Sequence, residues 1–440
     1  MGMVKLLIGC VLSVCFMVNC YGNIINFADI GGISEEYSEI TAWRNGGLMN
    51  QTLASLKSGD TLLIPDSTFY IMGGIVGGFF SDITIQIDGK LMFSNDTRHW
   101  PTNGDGHVLE CIYLTNITNV VFTSTNSVAR DHGGSGGVLD GNGLRWWGLP
   151  GVGYLHYTEN RPRLFNVEFG VNILIENILF KDSPYWTFYV QKVDGLEVRE
   201  SEISARRTEK EDHNMVDMTA FNTDGYDVTG RNVWIHDSSV WCQDDTIAVK
   251  DDSQNMLFER INASGVGLTI GSIGASTVRN ITFRDCYMPN SYKGIYLKFR
   301  SDGGLIEDVT FENIVIDSPS QWPIWIGPAQ QSDSRRLCAA HPCSICWPEL
   351  PSSECNAPLS QYRNILLKNI TVNNSKKSPG VIIGNPDMQM ENIVFDDVVF
   401  NNPGEKPWGD DYFTCEGVSS GVALGNTWPV PPCFEDKTAK

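Results

Sequence analysis

Three aspartates in two short polar segments carry the residue types needed for acid–base chemistry. Asp224 lies in NTDGYD (222–227), and Asp244 and Asp245 lie in QDDTIAVKD (243–251). Carboxylates held within several ångström cannot all ionise freely, so the pKa of one rises and that group can remain a proton donor. A protonated acid beside an ionised base is what hydrolysis of a glycosidic bond requires. Each segment alone is more typical of a turn, so the interpretation requires a fold that brings them together.

A recurring strand pattern indicates such a fold. Nine phrases alternate apolar with polar residues after an initial turn former, and they start at Asn119, Asn172, Gly195, Asn232, Asn255, Asn280, Asp308, Asn364 and Asn392. Period-two alternation bounded by turn formers predicts β-strands. The separations from Asn172 onward include 23, 23, 25 and 28 residues, which is one supersecondary unit per repeat.

These repeats predict an all-β fold, a right-handed parallel β-helix whose coils stack ~4.8 Å apart around an apolar bore. Asp244 follows Asp224 by 20 residues and Val266 follows Asp244 by 22, so we expect all three on neighbouring coils. Residues 33–56 combine helix formers with apolar spacing and predict an N-terminal capping helix. We expect residues 23–440 to form one domain, with loops between 195 and 232 and between 308 and 364.

The N-terminal segment predicts secretion. Residues 1–22 contain Lys5, an apolar run from Leu6 to Val18 and small residues suited to signal-peptidase cleavage. A membrane anchor is the alternative, but this run is shorter than the ~20 residues that a bilayer core requires. We therefore expect a secreted, extracellular protein with no membrane segment after cleavage.

The cysteines fit an oxidising compartment. Four of them, with His341 among them, cluster in a proposed insertion at 331–360, where zinc binding is the alternative to disulfides: Cys338, Cys343, Cys346 and Cys355. Secretion favours disulfides without metal. The mature chain keeps an odd number of cysteines, so at least one stays unpaired or bonds to another chain, with Cys242 or Cys286 the expected unpaired candidate. Glycosylation sequons lie at Asn50, Asn95, Asn116, Asn262, Asn280, Asn369 and Asn373.

Composition narrows the partners. The 440 residues include 32 Lys and Arg against 52 Asp and Glu, for a net charge of −20, which excludes nucleic-acid binding by bulk electrostatics. The same charge repels a polyuronate unless a local basic groove or low pH intervenes. We expect a monomer that does not bind nucleic acid.

Several ordered motifs resemble glycoside hydrolase family 28, the polygalacturonases and their relatives. They are IDGKLMFSNDTRHWP, LDGNGLRWWG, NTDGYD, QDD, GLTIGSIG and GIYLK at 294–298. The resemblance implies that Asp244 is the general acid, that Asp224 and Asp245 activate water with inversion, and that Lys298 grips a substrate carboxylate or hydroxyl. It also implies a pectin-like substrate, galacturonan or rhamnogalacturonan, and no cofactor or metal.

The chain departs from the family pattern at two places. Gly-Val-Gly at 265–267 stands where polygalacturonases usually carry Gly-His-Gly, and Tyr296 stands where they carry an arginine. We take Tyr296 and Arg300 as further candidate substrate contacts, because a residue two positions after Lys298 points the same way on a strand. A solvated surface arginine is the alternative for Arg300. Sugar stacking and core packing both stay open for Trp146, Trp147, Trp322 and Trp325. We expect His213 and His236 to be structural or surface groups.

Two other functions compete with hydrolysis. A non-catalytic carbohydrate-binding β-helix fits the missing histidine and arginine. A pectate-lyase-like enzyme of the same fold would need calcium and a basic residue to abstract a proton. The NTDG and QDD segments match hydrolases rather than lyases, so hydrolysis leads.

Overall fold

The computed structural model describes residues 22–126, 136–148, 159–333, 336 and 338–439. The predicted signal peptide lies outside this part of the chain apart from Gly22. The strands are β1 (Ile24–Asn26), β2 (Thr61–Ile64), β3 (Thr68–Ile71), β4 (Ile75–Gly78), β5 (Ser81–Ile87), β6 (Lys90–Phe93), β7 (Ile112–Thr123), β8 (Gly137–Asp140), β9 (Phe165–Glu176), β10 (Ile178–Lys181), β11 (Phe188–Arg199), β12 (Glu202–Ser204), β13 (Tyr226–Trp241), β14 (Ile247–Val249), β15 (Gln254–Ser264), β16 (Leu268–Ile273), β17 (Thr277–Pro289), β18 (Ile295–Phe299), β19 (Leu305–Asp317), β20 (Ile324–Pro328), β21 (Gln330–Gln331), β22 (Cys343–Ser344), β23 (Gln361–Asn373), β24 (Gly380–Ile383), β25 (Glu391–Asn401), β26 (Phe413–Glu416), β27 (Gly421–Gly425) and β28 (Glu435–Thr438).

The strands form a parallel β-helix, which confirms the fold predicted from the repeats. Within the described residues 26 strands belong to one sheet system, and a separate parallel pair joins β21 to β22. Each long strand pairs in parallel with the equivalent strand of the next coil, as in β11 with β13 and β13 with β15. One apolar cluster fills the bore along its length.

The predicted capping helix is present as α1 (Glu39–Ser55). Ser38 caps its N-terminus, because its side chain accepts a hydrogen bond of 3.1 Å from the backbone N–H of Thr41. The buried face of α1 includes Ala42, Met49 and Leu53 and closes the first coils. No helix in the described ranges is long and apolar enough to cross a membrane.

The nine predicted phrases stack in register and form what we call the phrase sheet. Val120 pairs with Ile173 and Ile173 with Leu196, and the same register continues to β25. The first residue of each phrase has a positive φ, between 52° and 59° except for Gly195 at 81°. Asparagine, aspartate and glycine are the residues that tolerate this left-handed conformation best. Asparagine amides also bond between coils, as from Asn280 to Asn255 at 2.8 Å.

A second stack of short strands carries the candidate site, and we call it the site sheet. It consists of the first residues of β9, β11 and β13 followed by β14, β16, β18, β20 and β24. Alternate residues such as Val228, Val249 and Ile270 point into the bore and are fully buried. The residues that alternate with them along each strand face outward, towards the loops.

The loops carry the predicted disulfides. Cys338 bonds to Cys346 and Cys343 to Cys355, so all four insertion cysteines pair among themselves, and a further bond joins Cys415 to Cys433. Within the described ranges the free cysteines are buried and include both expected candidates: Cys111, Cys242 and Cys286.

Four tryptophans that could have stacked on sugar pack inside the protein instead. Their exposed fractions are at most 3 %: Trp146, Trp147, Trp322 and Trp325. The structure therefore supports core packing for these four tryptophans.

Candidate active site

The three aspartates of the sequence analysis meet at the edge of the site sheet. Asp224 and Asp245 each lie two residues before the paired strand residues Tyr226 and Ile247, and the Gly225 N–H donates to the Asp245 carbonyl at 2.8 Å. Oxygens of the Asp224, Asp244 and Asp245 carboxylates all lie within 4.8 Å of one another. Stacking of neighbouring coils therefore produces the cluster from residues 20 positions apart.

Asp245 is held by an ion pair and a hydroxyl hydrogen bond. It is 2 % exposed, and the Lys298 ammonium donates to its two oxygens at 2.8 and 3.1 Å. The Thr269 hydroxyl donates to Oδ1 at 3.0 Å. Lys298, which the sequence assigned to substrate, therefore lies in the site and holds a catalytic candidate.

Asp244 is the most accessible of the three, since it is only half-buried. Asn222 donates from Nδ2 to its Oδ2 at 3.1 Å, and the Asp245 backbone N–H donates to its Oδ1 at 2.9 Å. Burial of the carboxylate, with the adjacent charge of Asp245, raises the pKa of Asp244. This is the direction required of a group that keeps a proton for transfer.

Asp224 is more deeply placed, with 4 % exposure. Among the described residues its Oδ1 has no hydrogen-bond partner, and the Lys250 ammonium lies 4.0 Å from its Oδ2. Burial, together with the charges of Asp227 and Asp244, raises the pKa of Asp224 well above its usual range. Asp224 and Asp244 therefore compete for protons, and their titration belongs to the cluster rather than to either residue.

A buried ion pair supports the cluster, and sequence reasoning missed it. Lys250 Nζ lies 2.8 Å from Asp227 Oδ1, and Asp227 is fully buried. Burial raises the pKa of Asp227 to about 6, although the Lys250 ammonium opposes the shift. The two residues are 23 positions apart, one coil of the repeat. Opposite charges at the coil spacing were the signal that could have identified the pair.

Tyr296 and Arg300 do not join the carboxylate cluster. Tyr296 is 1 % exposed, and its hydroxyl accepts a hydrogen bond of 2.8 Å from the Gln330 backbone N–H. Arg300 follows the end of β18, is exposed, and forms an ion pair of 2.6 Å with Asp251. The expectation that it points the same way as Lys298 assumed a continuing strand, whereas the pairing of β16 with β18 shifts register after Ile270. Their contact with substrate stays a prediction.

An aromatic side chain next to the carboxylates was also missed. Trp186 lies two residues before Phe188, which pairs with Tyr226, so it occupies the position of Asp224 on the preceding coil. It is half-buried, and the cationic groups of Arg163 and Lys250 lie 4.6 and 5.0 Å from its ring. A partly exposed aromatic ring at this place can contact a sugar ring.

His213 does not replace the histidine that the chain lacks at Val266. It stacks against Trp241 with 4.6 Å between ring centroids, and its ring nitrogens bond to Gln243 and Ser264 at 2.9 Å each. Burial lowers the pKa of His213 to about 4. Its partners agree with the structural role expected from the sequence.

Comparisons with known proteins place this geometry in a family. The sequence matches Glycosyl hydrolases family 28 over residues 58–424. A probable exopolygalacturonase B of Neosartorya fischeri is 24% identical over 385 residues, covering 83% of this chain and 78% of that protein. An endo-xylogalacturonan hydrolase A of Aspergillus tubingensis is 28% identical over 281 residues, covering 61% of this chain and 64% of that protein.

Solved structures show the same fold. The crystal structure of the Aspergillus tubingensis endo-xylogalacturonan hydrolase aligns with a TM-score of 0.61 and 20% identity, covering 93% of this chain and 98% of that one. An exopolygalacturonase of Thermotoga maritima aligns with a TM-score of 0.65 and 19% identity, covering 94% and 91%. The family match spans most of the sequence and includes all three clustered aspartates. The chain therefore belongs to glycosyl hydrolases family 28 and is a glycosidase.

Proposed function

We propose that the chain is a secreted, inverting glycoside hydrolase of a pectin-like polysaccharide, in which Asp244 is the general acid and Asp224 with Asp245 activates water. One observation carries the assignment of roles. Within one cluster of carboxylates, Asp245 is held by the Lys298 ammonium at 2.8 Å, whereas Asp244 is half-exposed and has a raised pKa. An ionised base beside a protonated acid is the pairing that glycoside hydrolysis needs.

The proposed reaction follows from these charge states. Asp244 gives its proton to the departing glycosidic oxygen, which avoids release of a poor alkoxide leaving group. Asp245 accepts a proton from the attacking water, while Asp224 orients that water from the neighbouring coil. Lys298 donates to both oxygens of Asp245 and so positions the proposed base.

The substrate assignment is a pectic polymer, either galacturonan or rhamnogalacturonan. The relatives named above act on polygalacturonate or xylogalacturonan by name. Lysines 250 and 298 beside the aspartates offset part of the negative charge of the cluster, in a chain whose net charge is −20. That offset lowers the repulsion between the site and an anionic polymer.

The stereochemical outcome of the proposed reaction can be tested directly. The nearest oxygens of the three carboxylates lie within 4.8 Å, whereas the carboxyl groups of inverting enzymes are usually about 6.5–9.5 Å apart and those of retaining enzymes about 5–5.5 Å. Inversion is therefore proposed from the family resemblance and not from this spacing. Proton NMR of the first anomer released distinguishes them: initial appearance of the inverted anomer is expected, and the retained anomer would overturn the inverting mechanism.

The reaction class is tested with a panel of pectic polymers. Purified protein should release new reducing ends from polygalacturonate or rhamnogalacturonan without added metal, and Asp244→Asn should not. Binding of the polymers without new reducing ends would support a carbohydrate-binding protein instead. A calcium-dependent product that absorbs ultraviolet light would identify a lyase. A signal peptide is tested separately, by N-terminal sequencing of protein secreted from a eukaryotic host.

A further inference from the structure

A buried lysine lies on the same edge of the site sheet as the aspartates. The edge is formed by residues two positions before the paired strand residues Tyr226, Ile247, Leu268 and Ile295, namely Asp224, Asp245, Val266 and Lys293. Because neighbouring strands are ~4.8 Å apart, Lys293 lies about 10 Å from Asp245 along the axis of the β-helix. It is therefore two coils from the base of the proposed reaction.

The surroundings of Lys293 are neutral at contact distance. Its ammonium donates to the amide oxygens of Gln321 and Gln330 at 2.9 and 3.2 Å. The rings of Tyr296 and Trp325 lie 4.9 and 5.5 Å away. Lys293 itself is 5 % exposed. An ammonium group has three donors, so these two hydrogen bonds leave one N–H and a whole positive charge available.

The other cations along this part of the site sheet are already neutralised. Arg163 pairs with Glu110 at 2.7 Å, and Lys250 and Lys298 each lie 2.8 Å from a carboxylate oxygen. Lys293 has no carboxylate within ion-pair distance in the described part of the chain. Burial and the nearby Lys298 ammonium lower the pKa of Lys293 to about 7, against the attraction of Asp245 and Asp244. A buried cation without a counter-ion is costly, and an anionic ligand relieves that cost.

We propose that Lys293 binds a carboxylate group of the substrate and thereby selects a uronate residue beside the catalytic aspartates. This inference rests on the proposed function, since it names which sugar the same site accepts. A carboxylate would compete with the neutral amide contacts of Gln321 and Gln330, because charge-assisted hydrogen bonds are roughly twice as strong. It also accounts for Tyr296 in place of arginine: the charge comes from another position, as a point charge rather than a bidentate fork.

The test measures binding rather than turnover. In an Asp244→Asn background, calorimetry compares trigalacturonate with its methyl ester, which has the same shape without the charges. Adding Lys293→Met should weaken binding of the acid about 10- to 100-fold, the range expected for a hydrogen bond to a charged group. Binding of the ester should change less than twofold. Lys368→Met is the matched control, because Lys368 pairs with Glu312 on the phrase sheet and is half-exposed.

A second arm uses pH and the conservative variant. Affinity for the acid should fall as pH rises through about 7, where Lys293 loses its proton, and it should stay level in Lys293→Arg, whose guanidinium remains charged. The same charged groups face residue 293 in both proteins: Lys298, Asp245, and Asp244 or its asparagine replacement. Their own titration therefore affects both proteins equally. This arm needs no truncation and remains informative if Lys293→Met does not fold.

The outcomes separate the two proposals. Equal weakening of acid and ester, unchanged preference for the acid, or no binding of either compound would overturn the assignment of Lys293. A protein that shows the Lys293-dependent preference but releases no reducing ends would overturn the proposed hydrolysis alone. If the protein hydrolyses the polymer and the preference for the acid persists in Lys293→Met, the proposed function stands and the role of Lys293 is overturned.

Discussion

The phrase sheet and the site sheet are built from the same coils but handle charge in opposite ways. On the phrase sheet, charged pairs such as Glu307 with Arg363, and Lys368 with Glu312 at 3.0 Å, are partly exposed and bond across coils. On the site sheet three carboxylates lie within 4.8 Å, and two of them are almost completely buried. The coil repeat therefore brings charges together in both places, and burial decides whether they become structural or reactive.

The physical reason is the surrounding solvent. Exposed ion pairs contribute about 0–1 kcal/mol, because water screens both partners. Buried carboxylates lose that screening, so their pKa values rise and each nearby cation becomes decisive for charge state. Asp227 is the example, since burial raises its pKa although the Lys250 ammonium at 2.8 Å opposes the shift.

The largest expected effect is on catalysis. It is measured by replacing one carboxylate of the site sheet with an amide and by making the same change on the phrase sheet as a control. Asp244→Asn should lower kcat about 10²- to 10⁴-fold and leave binding of oligogalacturonate nearly unchanged, because the amide keeps the shape but cannot donate the proton. Glu312→Gln on the phrase sheet is the control and should leave kcat within twofold. Asp224→Asn and Asp245→Asn should be comparably damaging. The triple variant should lose less than the product of the three single losses, because the groups act as a unit.

The result that would contradict this role is a kcat for Asp244→Asn within a few-fold of the original chain. Another proton donor, or another reaction class, would then be required. A triple variant whose loss equals the product would instead show that the three carboxylates act independently.

The next largest effect is on the free energy of unfolding, which should differ between a buried and an exposed ion pair. Lys298→Met removes the partner of a carboxylate whose side chain is 3 % exposed, and such a loss costs about 3–5 kcal/mol of unfolding free energy. Lys368→Met removes a partner on the phrase sheet, where the side chain of Lys368 is 48 % exposed, and should cost about 0–1 kcal/mol. Chemical denaturation of both variants measures the difference. Equal costs would show that the Lys298 pair is as well solvated as the surface pair.

The smallest effect is the pH dependence of stability, and its sign should differ between the sheets. Asp227 keeps its proton up to about pH 6 in the folded protein but loses it near 3.8 when unfolded. The folded state thus binds more protons between these values, and stability falls as pH rises, by about 1 kcal/mol per pH unit for this group. Asp227→Asn should flatten that part of the stability curve, measured as the denaturation midpoint from pH 4 to 6.

Asp237 on the phrase sheet provides the opposite case. A hydrogen bond from Arg260, with His236 nearby, holds the pKa of Asp237 below its usual range. Its contribution to stability is therefore present above its unfolded pKa and is lost as pH falls. Asp237→Asn should remove part of the acid-side loss and leave the curve from pH 4 to 6 unchanged. Identical pH profiles for the two variants would contradict the contrast between the sheets.

Local sequence determined most of the architecture. The alternation and coil length of the phrases specify strands that stack, and Asn119, Asn232 and Asn364 mark turns because asparagine tolerates a positive φ. The same coil length places Asp224 and Asp244 on neighbouring coils. The helix formers around α1 and the closely spaced cysteines of the insertion were likewise sufficient for the cap and the disulfides.

Tertiary structure alone decided what surrounds each of these residues. Lys298 reaches Asp245 across 53 positions, the Gln330 backbone N–H bonds to the Tyr296 hydroxyl, and Arg300 after the end of β18 pairs with Asp251. Tertiary structure also decided which cysteines pair, and it left Lys293 without an ion-paired carboxylate in the described chain. Periodicity fixes which coil a residue occupies, whereas burial and partners depend on how loops of different lengths fold over the sheet, and no short-range pattern encodes that packing.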